Sequence, residues 1–181
     1  MIKIGGSMKK LKNILVGIIG IIYFVFVIIN TILMLNINKY GVTQFDDMTL
    51  VAIKSEISSN NYIKGDLVVV RKPKFENIQV GDELFIYKIK KDGSPVIDLG
   101  IVGEIHEKDE SLSFENGASY EMDYVIGGSE KVYHEIGKYF SIVQSQWGFL
   151  FIILVPSFLI FVYELYAIIV EVKYGKPDAK K

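Results

Sequence analysis

Apolar positions divide the chain into two long uncharged segments and a mixed segment between them. Residues 14–35 carry no charged side chain, and residues 147–170 carry only Glu164. At about 1.5 Å of rise per helical residue, each segment is long enough to cross a hydrocarbon core about 30 Å thick. The pattern therefore predicts transmembrane helices at 14–35 and 147–170, with the bilayer as one partner of the protein.

The segment 36–146 has the pattern of β-structure. Short runs rich in β-branched and aromatic residues alternate with turn signals that contain Gly, Asn or Pro. We expect a mainly β domain between the two helices, folded as an irregular antiparallel barrel or a coiled sheet. The predicted strands are 66–70, 83–89 and 96–102, with weaker signals at 111–114 and 131–133.

Charge is distributed unevenly around these segments. Residues 1–13 carry four lysines and the end of the chain carries Lys173, Lys176, Lys180 and Lys181, whereas residues 36–146 carry 12 basic and 18 acidic side chains. Positive residues favour retention on the cytoplasmic side. The sequence predicts a two-pass protein of the cell membrane, with 1–13 and 171–181 cytoplasmic and 36–146 extracytoplasmic.

A cleavable signal peptide is the alternative for residues 14–35. Their uncharged length of 22 residues exceeds the usual apolar region of about 7–15, and residues 36–40 offer no small-x-small cleavage pattern. We therefore expect an uncleaved anchor. Met8, just before Lys9, is an alternative to Met1 as the translation start, and in that case residues 1–7 would be a leader or a start-site artefact.

Composition excludes several chemistries. The acidic middle segment has no basic face to replace phosphate counterions, so no nucleic-acid partner is expected. The chain has no cysteine, which rules out disulfides and thiolate metal sites. No metal or cofactor is predicted. Asp66 and Asp82 each follow a glycine at the start of a strand, where turn geometry explains them.

The order of these motifs resembles a known family. Gly65-Asp66 precedes the strand 67–70, Gly81-Asp82 precedes 83–87, then come 101–105 and Gly137-Lys138 before a closing helix. Across residues 51–167 this resembles signal peptidase I of the type found in the endoplasmic reticulum, archaea and some Gram-positive bacteria. The resemblance implies a signal peptidase I-like β domain, with a serine nucleophile, a histidine base and an acidic group.

The positions that should carry this chemistry do not match the family. Counting back from Gly65 places Ile57 where the nucleophilic serine stands, and aligning the third strand places Leu99 at the histidine base. In the acidic motif Ala118 replaces the first aspartate and Tyr124 a later one, so only Asp123 is retained. Acyl transfer needs a hydroxyl within reach of an oriented base. The resemblance therefore implies a scaffold that has lost catalysis.

Three functions remain open. The first is a non-catalytic paralogue in secretion and signal-peptide processing, which binds signal peptides or an active signal peptidase. The second is a diverged but active serine endopeptidase. Ser58 has the wrong strand parity for it, Ser55 would lie about 7 Å away, and His106 and His134 are expected to be solvated surface residues. The third is a structural membrane protein of a surface-assembly system.

Overall fold

The computed structural model describes residues 4–54 and 61–175, with side chains from residue 14 onward in those ranges. The chain folds as two compact units, Met1–Ser141 and Ile142–Lys181. The helices are α1 (Ile4–Leu35), α2 (Ile136–Val143), α3 (Gln146–Gly148) and α4 (Val155–Tyr174). The strands are β1 (Thr43–Phe45), β2 (Met48–Ala52), β3 (Leu67–Arg71), β4 (Glu83–Ile89), β5 (Pro95–His106), β6 (Ser111–Phe114), β7 (Ser119–Glu121) and β8 (Val125–Tyr133).

All eight strands form one antiparallel sheet that curls into a half-barrel. The order is β1-β2-β3-β8-β4-β5-β6-β7, so β8 joins two groups of strands that are consecutive in sequence. The later part of β8 pairs with β3, and its first residues pair with β4. Both pairings contain a register shift, which increases the local twist and bends the sheet.

Two hydrophobic clusters pack on opposite faces of β4. Phe85 and Tyr87 face the first cluster, and Leu84 and Ile86 face the second, because successive strand residues point to opposite faces. Burial on both sides explains the continuous apolar run in this strand. The first cluster comprises Val51, Ile53, Val68, Val70, Phe85, Tyr87, Leu99 and Ile126; the second comprises Ile78, Leu84, Ile86, Val102, Leu112, Phe114 and Val125.

Asn38 ties the end of α1 to the sheet. Its Nδ2 donates to the hydroxyl of Tyr87 at 2.8 Å and to Oε1 of Gln44 at 2.9 Å. Its Oδ1 accepts the backbone N–H of Tyr40, whose ring stacks on Tyr87 with centroids 3.9 Å apart. The exit of the first apolar helix is thereby fixed to the central strand β4.

The two Gly-Asp motifs form equivalent turns. The N–H of Asp66 donates to the carbonyl of Ile63, and that of Asp82 to the carbonyl of Gln79, each at 3.1 Å. The glycines that precede these aspartates have φ of +103° and +96°. A β-turn of type II requires a positive φ at its third position, which these glycines supply. The turn role predicted for both aspartates is confirmed.

The C-terminal unit is helical through most of its length. The Ser145 hydroxyl accepts the N–H of Gly148 at 2.9 Å and begins α3. A π-helical segment, Phe149–Leu154, follows and leads into α4, with Pro156 in its first turn, where a missing N–H costs little. The stretch Gln146–Tyr174 and the helix Ile14–Leu35 are both long and apolar enough to cross a membrane.

The mainly β domain between two apolar helices is therefore confirmed. All five predicted strands are present, although β5 and β8 are longer than predicted. The sequence pattern missed β1, β2, β7 and α2. The missed β1 and β7 have three residues each, and their strand state depends on pairing with a neighbour more than on propensity. Gly137 and Lys138, expected before the closing helix, lie within α2.

Candidate functional site

A buried carboxylate meets an exposed imidazole next to α2. Asp66 is fully buried, and its Oδ1 lies 3.1 Å from Nδ1 of His134, which directly follows β8. The other carboxylate oxygen accepts the backbone N–H of Ile63 at 3.0 Å. The His134 side chain is 68% exposed, and its Nε2 bonds to no residue within 14–54 or 61–175. The arrangement orients an imidazole and leaves one ring nitrogen accessible.

Close backbone packing supports this pair. Glu135 adopts a φ of +64° where the chain turns from β8 into α2, and its N–H also bonds to Asp66. A Cβ on Gly137 would overlap the backbone carbonyl of Asp66. Glycine is therefore needed at position 137 for α2 to approach the turn. The Gly65-Asp66 and Gly137 motifs are two sides of one contact.

The environment of Asp66 keeps its carboxyl ionised. Burial alone would raise the pKa, but hydrogen bonds from Ile63, His134 and Glu135, with the attraction of the imidazole, bring the pKa below its ordinary value. A lowered carboxyl pKa stabilises the fold above the unfolded value, near pH 4. That contribution is lost as the pH falls through the lower, folded value.

Leu99, the position that the resemblance assigns to the base, is a core residue. It is 5% exposed, belongs to the first hydrophobic cluster and lies opposite Phe85 in the β4–β5 pairing. Tyr124 is half-buried and packs against the same cluster. The structure thus brings these two positions to one apolar region, where neither presents a base to solvent.

The other predicted positions lie elsewhere or outside the described residues. Ala118 is half-buried in the β6–β7 hairpin, where its N–H donates to Oδ1 of Asn116 at 3.0 Å. Asp123 is exposed in the short helical turn before β8. Ile57 falls outside the described residues, as do Ser55 and Ser58, so the convergence of positions 57, 99 and 118 stays a prediction.

The outer edge of β5, the side away from β4, is only partly covered. Residues 102–106 pair with β6, and the carbonyl of Ile101 accepts the N–H of Glu115 at 2.9 Å. Among the described residues no strand or bridge pairs with this edge from Pro95 to Gly100. At about 3.3 Å per residue, the uncovered edge is about 20 Å long.

The register determines which backbone groups face that edge. Lys90 N–H donates to the carbonyl of Ser94, and Val102 N–H to that of Asp82, so even-numbered residues of β5 bond toward β4. Antiparallel ladders alternate, and Pro95, Ile97 and Leu99 therefore direct their backbone groups outward. Proline occurs in sheets where its nitrogen faces an unpaired edge, which agrees with this assignment.

Asp98 partly protects the edge. Its Oδ1 accepts the N–H of Leu99 at 2.9 Å, and its Oδ2 pairs with Nζ of Lys88 at 3.2 Å. Within the described part of the chain, the N–H and carbonyl of Ile97 and the carbonyl of Leu99 remain for a further strand. Next to this part of the edge is an open groove of about 300 Å³ lined by Glu83, Asp98, Leu99, Gly100, Ile101, Glu115 and Asn116.

No local pattern in the sequence indicated the Asp66–His134 pair, and the exposure of His106 differs from expectation. His134 is exposed as expected, but it is bound to a carboxylate from a residue 68 positions earlier. His106, expected on a surface loop, ends β5 and is half-buried, with Nε2 2.8 Å from Oγ of Ser113. No group of three or more His, Asp or Glu that could hold a metal ion occurs among the described residues.

Fold and site together define a class: a curled antiparallel sheet domain flanked in sequence by two helices able to span a membrane. It has an oriented histidine and a strand edge with which no described strand pairs. Neither a protein-family model nor a curated protein nor a solved structure matches this chain.

Proposed function

We propose that this chain is a two-pass membrane protein whose β domain binds extended peptide segments without cleaving them. It would be a signal peptidase I-like scaffold, acting in protein secretion and signal-peptide processing at the cell membrane. The observation that carries the proposal is the edge of β5 between Pro95 and Gly100, with which no strand or bridge within residues 4–54 and 61–175 pairs. The domain lies outside the membrane in this proposal, and both termini are cytoplasmic.

Strand addition accounts for binding at this edge. An extended peptide pairs its backbone with unpaired N–H and carbonyl groups, and alternate side chains occupy neighbouring pockets. Ile97 supplies a donor and an acceptor, and Leu99 supplies an acceptor. The adjacent groove of about 300 Å³ has room for side chains of such a peptide. A signal peptide, or an extended segment of an active signal peptidase, is the proposed partner.

The lack of a proton-accepting side chain at position 99 supports the proposal that the chain does not cleave peptides. A general base must reach the proton that it removes. Leu99 is a buried aliphatic side chain and accepts no proton. With isoleucine at position 57 and alanine at position 118, the resemblance leaves no group for acyl transfer at these positions.

The proposal is tested by removing one outward backbone donor. Ile97→Pro deletes the Ile97 N–H, which faces the uncovered edge and does not bond to β4. Ile97→Val keeps the N–H and serves as the matched control. We expect Ile97→Pro to weaken binding of a fluorescent signal peptide to the full chain in detergent by about tenfold, equivalent to about 1.4 kcal/mol, the scale of one hydrogen bond.

Near-ultraviolet circular dichroism of the tyrosines checks that both variants are folded. Unchanged affinity in a folded Ile97→Pro protein would contradict strand addition at this edge. If Ile97→Pro does not fold, a photo-crosslinking residue at Lys91 in the hairpin before β5 replaces it. Crosslinks from that position to the peptide support the edge, and crosslinks only from a distant control position, Lys131, contradict it.

One observation favours the alternative of an active peptidase. Asp66 orients His134 as an acid orients a catalytic base, with Nε2 left accessible. Cleavage of a secretory precursor by the purified chain, free of host peptidase and abolished by His134→Ala, would establish that function. A purified, folded chain that cleaves no secretory precursor would contradict it.

A further inference from the structure

The negative charge of the β domain is concentrated in one part of its sequence. Residues 36–146 carry 18 acidic and 12 basic side chains, of which residues 104–123 contribute seven acidic and one basic. The rest of the domain has 11 of each and is neutral by this count. We call residues 104–123 the acidic lobe; its acids are Glu104, Glu107, Asp109, Glu110, Glu115, Glu121 and Asp123.

The acidic lobe adjoins the uncovered edge of β5. It contains the end of β5, then β6 and β7, and every one of its seven acidic residues is exposed. Glu115 bonds through its backbone to Ile101, where the covered part of the edge ends. A peptide paired along Ile97 and Leu99 therefore has one end next to Glu115.

Further charge on the groove has the same sign. Glu83 lies opposite Ile101 in the β4–β5 pairing and lines the groove with Glu115 and Asp98. Asp98 is paired with Lys88, but no ion pair to Glu83 or Glu115 is found in the described residues. None of the groove-lining residues is basic. Glu83 and Glu115 therefore offer two carboxylates to whatever binds beside them.

From this charge complementarity we infer that the segment bound by the edge is basic, with Lys or Arg side chains at the end that meets Ile101 and Glu115. The inference rests on the proposed peptide-binding function and specifies its ligand. Complementary charge speeds encounter and suppresses wrong partners, because like charges brought together are unfavourable. An acidic segment would be repelled by the acidic lobe, and a neutral one would gain nothing from it.

The test compares three pools of synthetic peptides about ten residues long, so that the centre can pair with the six-residue edge and the charged ends extend beyond it. Their central positions vary over Val, Ile, Ala, Thr and Ser, and both ends carry Lys in one pool, Gln in the second and Glu in the third. Binding to the full chain in detergent is measured by fluorescence anisotropy at low and high salt. We expect the affinity order Lys, then Gln, then Glu, with differences that shrink as salt screens the charges.

Variants assign the preference to the groove. Glu83→Gln and Glu115→Gln should each lower the affinity for the Lys pool by about two- to fivefold, the range of exposed ion pairs, and leave the Gln pool unchanged. Glu76→Gln, an exposed carboxylate outside the acidic lobe, is the matched control and should change neither. Glu83→Lys combined with Glu115→Lys should reverse the order of the Lys and Glu pools.

The outcomes separate the inference from the function on which it rests. Equal binding of the three pools at low salt would overturn the basic ligand and leave peptide binding standing. Binding of none of the pools would overturn the proposed function and the inference together. A Lys preference that survives in Glu83→Gln, Glu115→Gln and their double variant would show that the charge recognition lies elsewhere, which also overturns the assignment.

Discussion

Replacing Asp66 with Asn tests whether the buried carboxylate, rather than the exposed imidazole of His134, stabilises the contact between the start of β3 and the connection from β8 to α2. The substitution keeps the shape of the side chain and removes its charge. Its amide group also brings a donor to a place where both oxygens now accept hydrogen bonds. His134→Ala removes the partner imidazole and leaves the carboxylate with its backbone donors.

The structure predicts that Asp66→Asn lowers the free energy of unfolding more than His134→Ala does. Asp66 accepts backbone N–H groups from Ile63 and Glu135, and these donors stay near the buried side chain after substitution. Weakening two hydrogen bonds to a charged acceptor costs about 1–3 kcal/mol each, and the terms are not fully additive, so we expect about 2–4 kcal/mol for Asp66→Asn. The His134 side chain is 68% exposed, and its contact is worth about 1 kcal/mol or less.

Thermal unfolding of the full chain in detergent, followed by tyrosine circular dichroism, measures both variants. At about 4–8 °C per kcal/mol for a domain of about 100 residues, Asp66→Asn should lower Tm by about 8–32 °C and His134→Ala by less than about 8 °C. The amides of Ile63 and Glu135 should lose hydrogen-exchange protection only in Asp66→Asn. Equal losses of Tm in the two variants would refute the reasoning, because the contact with the exposed imidazole would then carry the stability.

The stability of the fold should also depend on pH through the carboxyl group of Asp66. Because the pKa of Asp66 is lowered in the fold, wild-type stability should decline as the pH falls below about 4, and Asp66→Asn should show a shallower decline. The sign follows from the unfolded chain, which binds the proton more readily than the folded one. A steeper acid dependence in Asp66→Asn than in the wild type would contradict the assigned pKa direction.

Three further predictions concern packing, topology and chemistry. Gly137→Ala should destabilise the β domain by about 1–3 kcal/mol through overlap with the Asp66 carbonyl, while Gly17→Ala, whose Cβ meets nothing within 4 Å, should not; equal Tm values would disprove the close approach. In this cysteine-free chain an impermeant thiol reagent should label Asp92→Cys but not Ala179→Cys in intact cells, and the reverse pattern would invert the topology. Neither the unmodified chain nor Ile57→Ser should cleave secretory precursors, since an unactivated hydroxyl is a weak nucleophile; clear turnover by either would overturn the non-catalytic function.

The sequence by itself determined the parts of the structure that depend on local composition. The apolar helices follow from uncharged length alone, because a membrane-spanning helix satisfies its own backbone hydrogen bonds within one segment. Strands such as β4 follow from runs of β-branched and aromatic residues between turn formers. The Gly-Asp turns follow from the positive φ that glycine supplies, and within each turn the aspartate side chain accepts the backbone N–H of the residue three positions earlier.

The candidate site depended on contacts that no local pattern contains. The β3–β8 pairing sets Leu67 opposite Tyr133, and this register brings Asp66 beside His134 across 68 positions of sequence. The expected exposure of His134 gave no reason to pair it with Asp66, because an exposed histidine usually has only water as its partner. The lysine-flanked topology and the resemblance at positions 57, 99 and 118 remain predictions from the sequence.

The open strand edge was also decided by tertiary structure. The run 96–102 predicted a strand but could not indicate which neighbours it would have. Pairing with β6 ends at Val102, opposite Phe114 and just past the register shift between Val102 and Glu104, and Glu115 adds one further bond to Ile101. A strand's side-chain pattern reports burial of its faces, whereas edge pairing uses backbone groups that are the same in almost every residue. Only the assembled sheet therefore shows which backbone groups of β5 are left unpaired within the described residues.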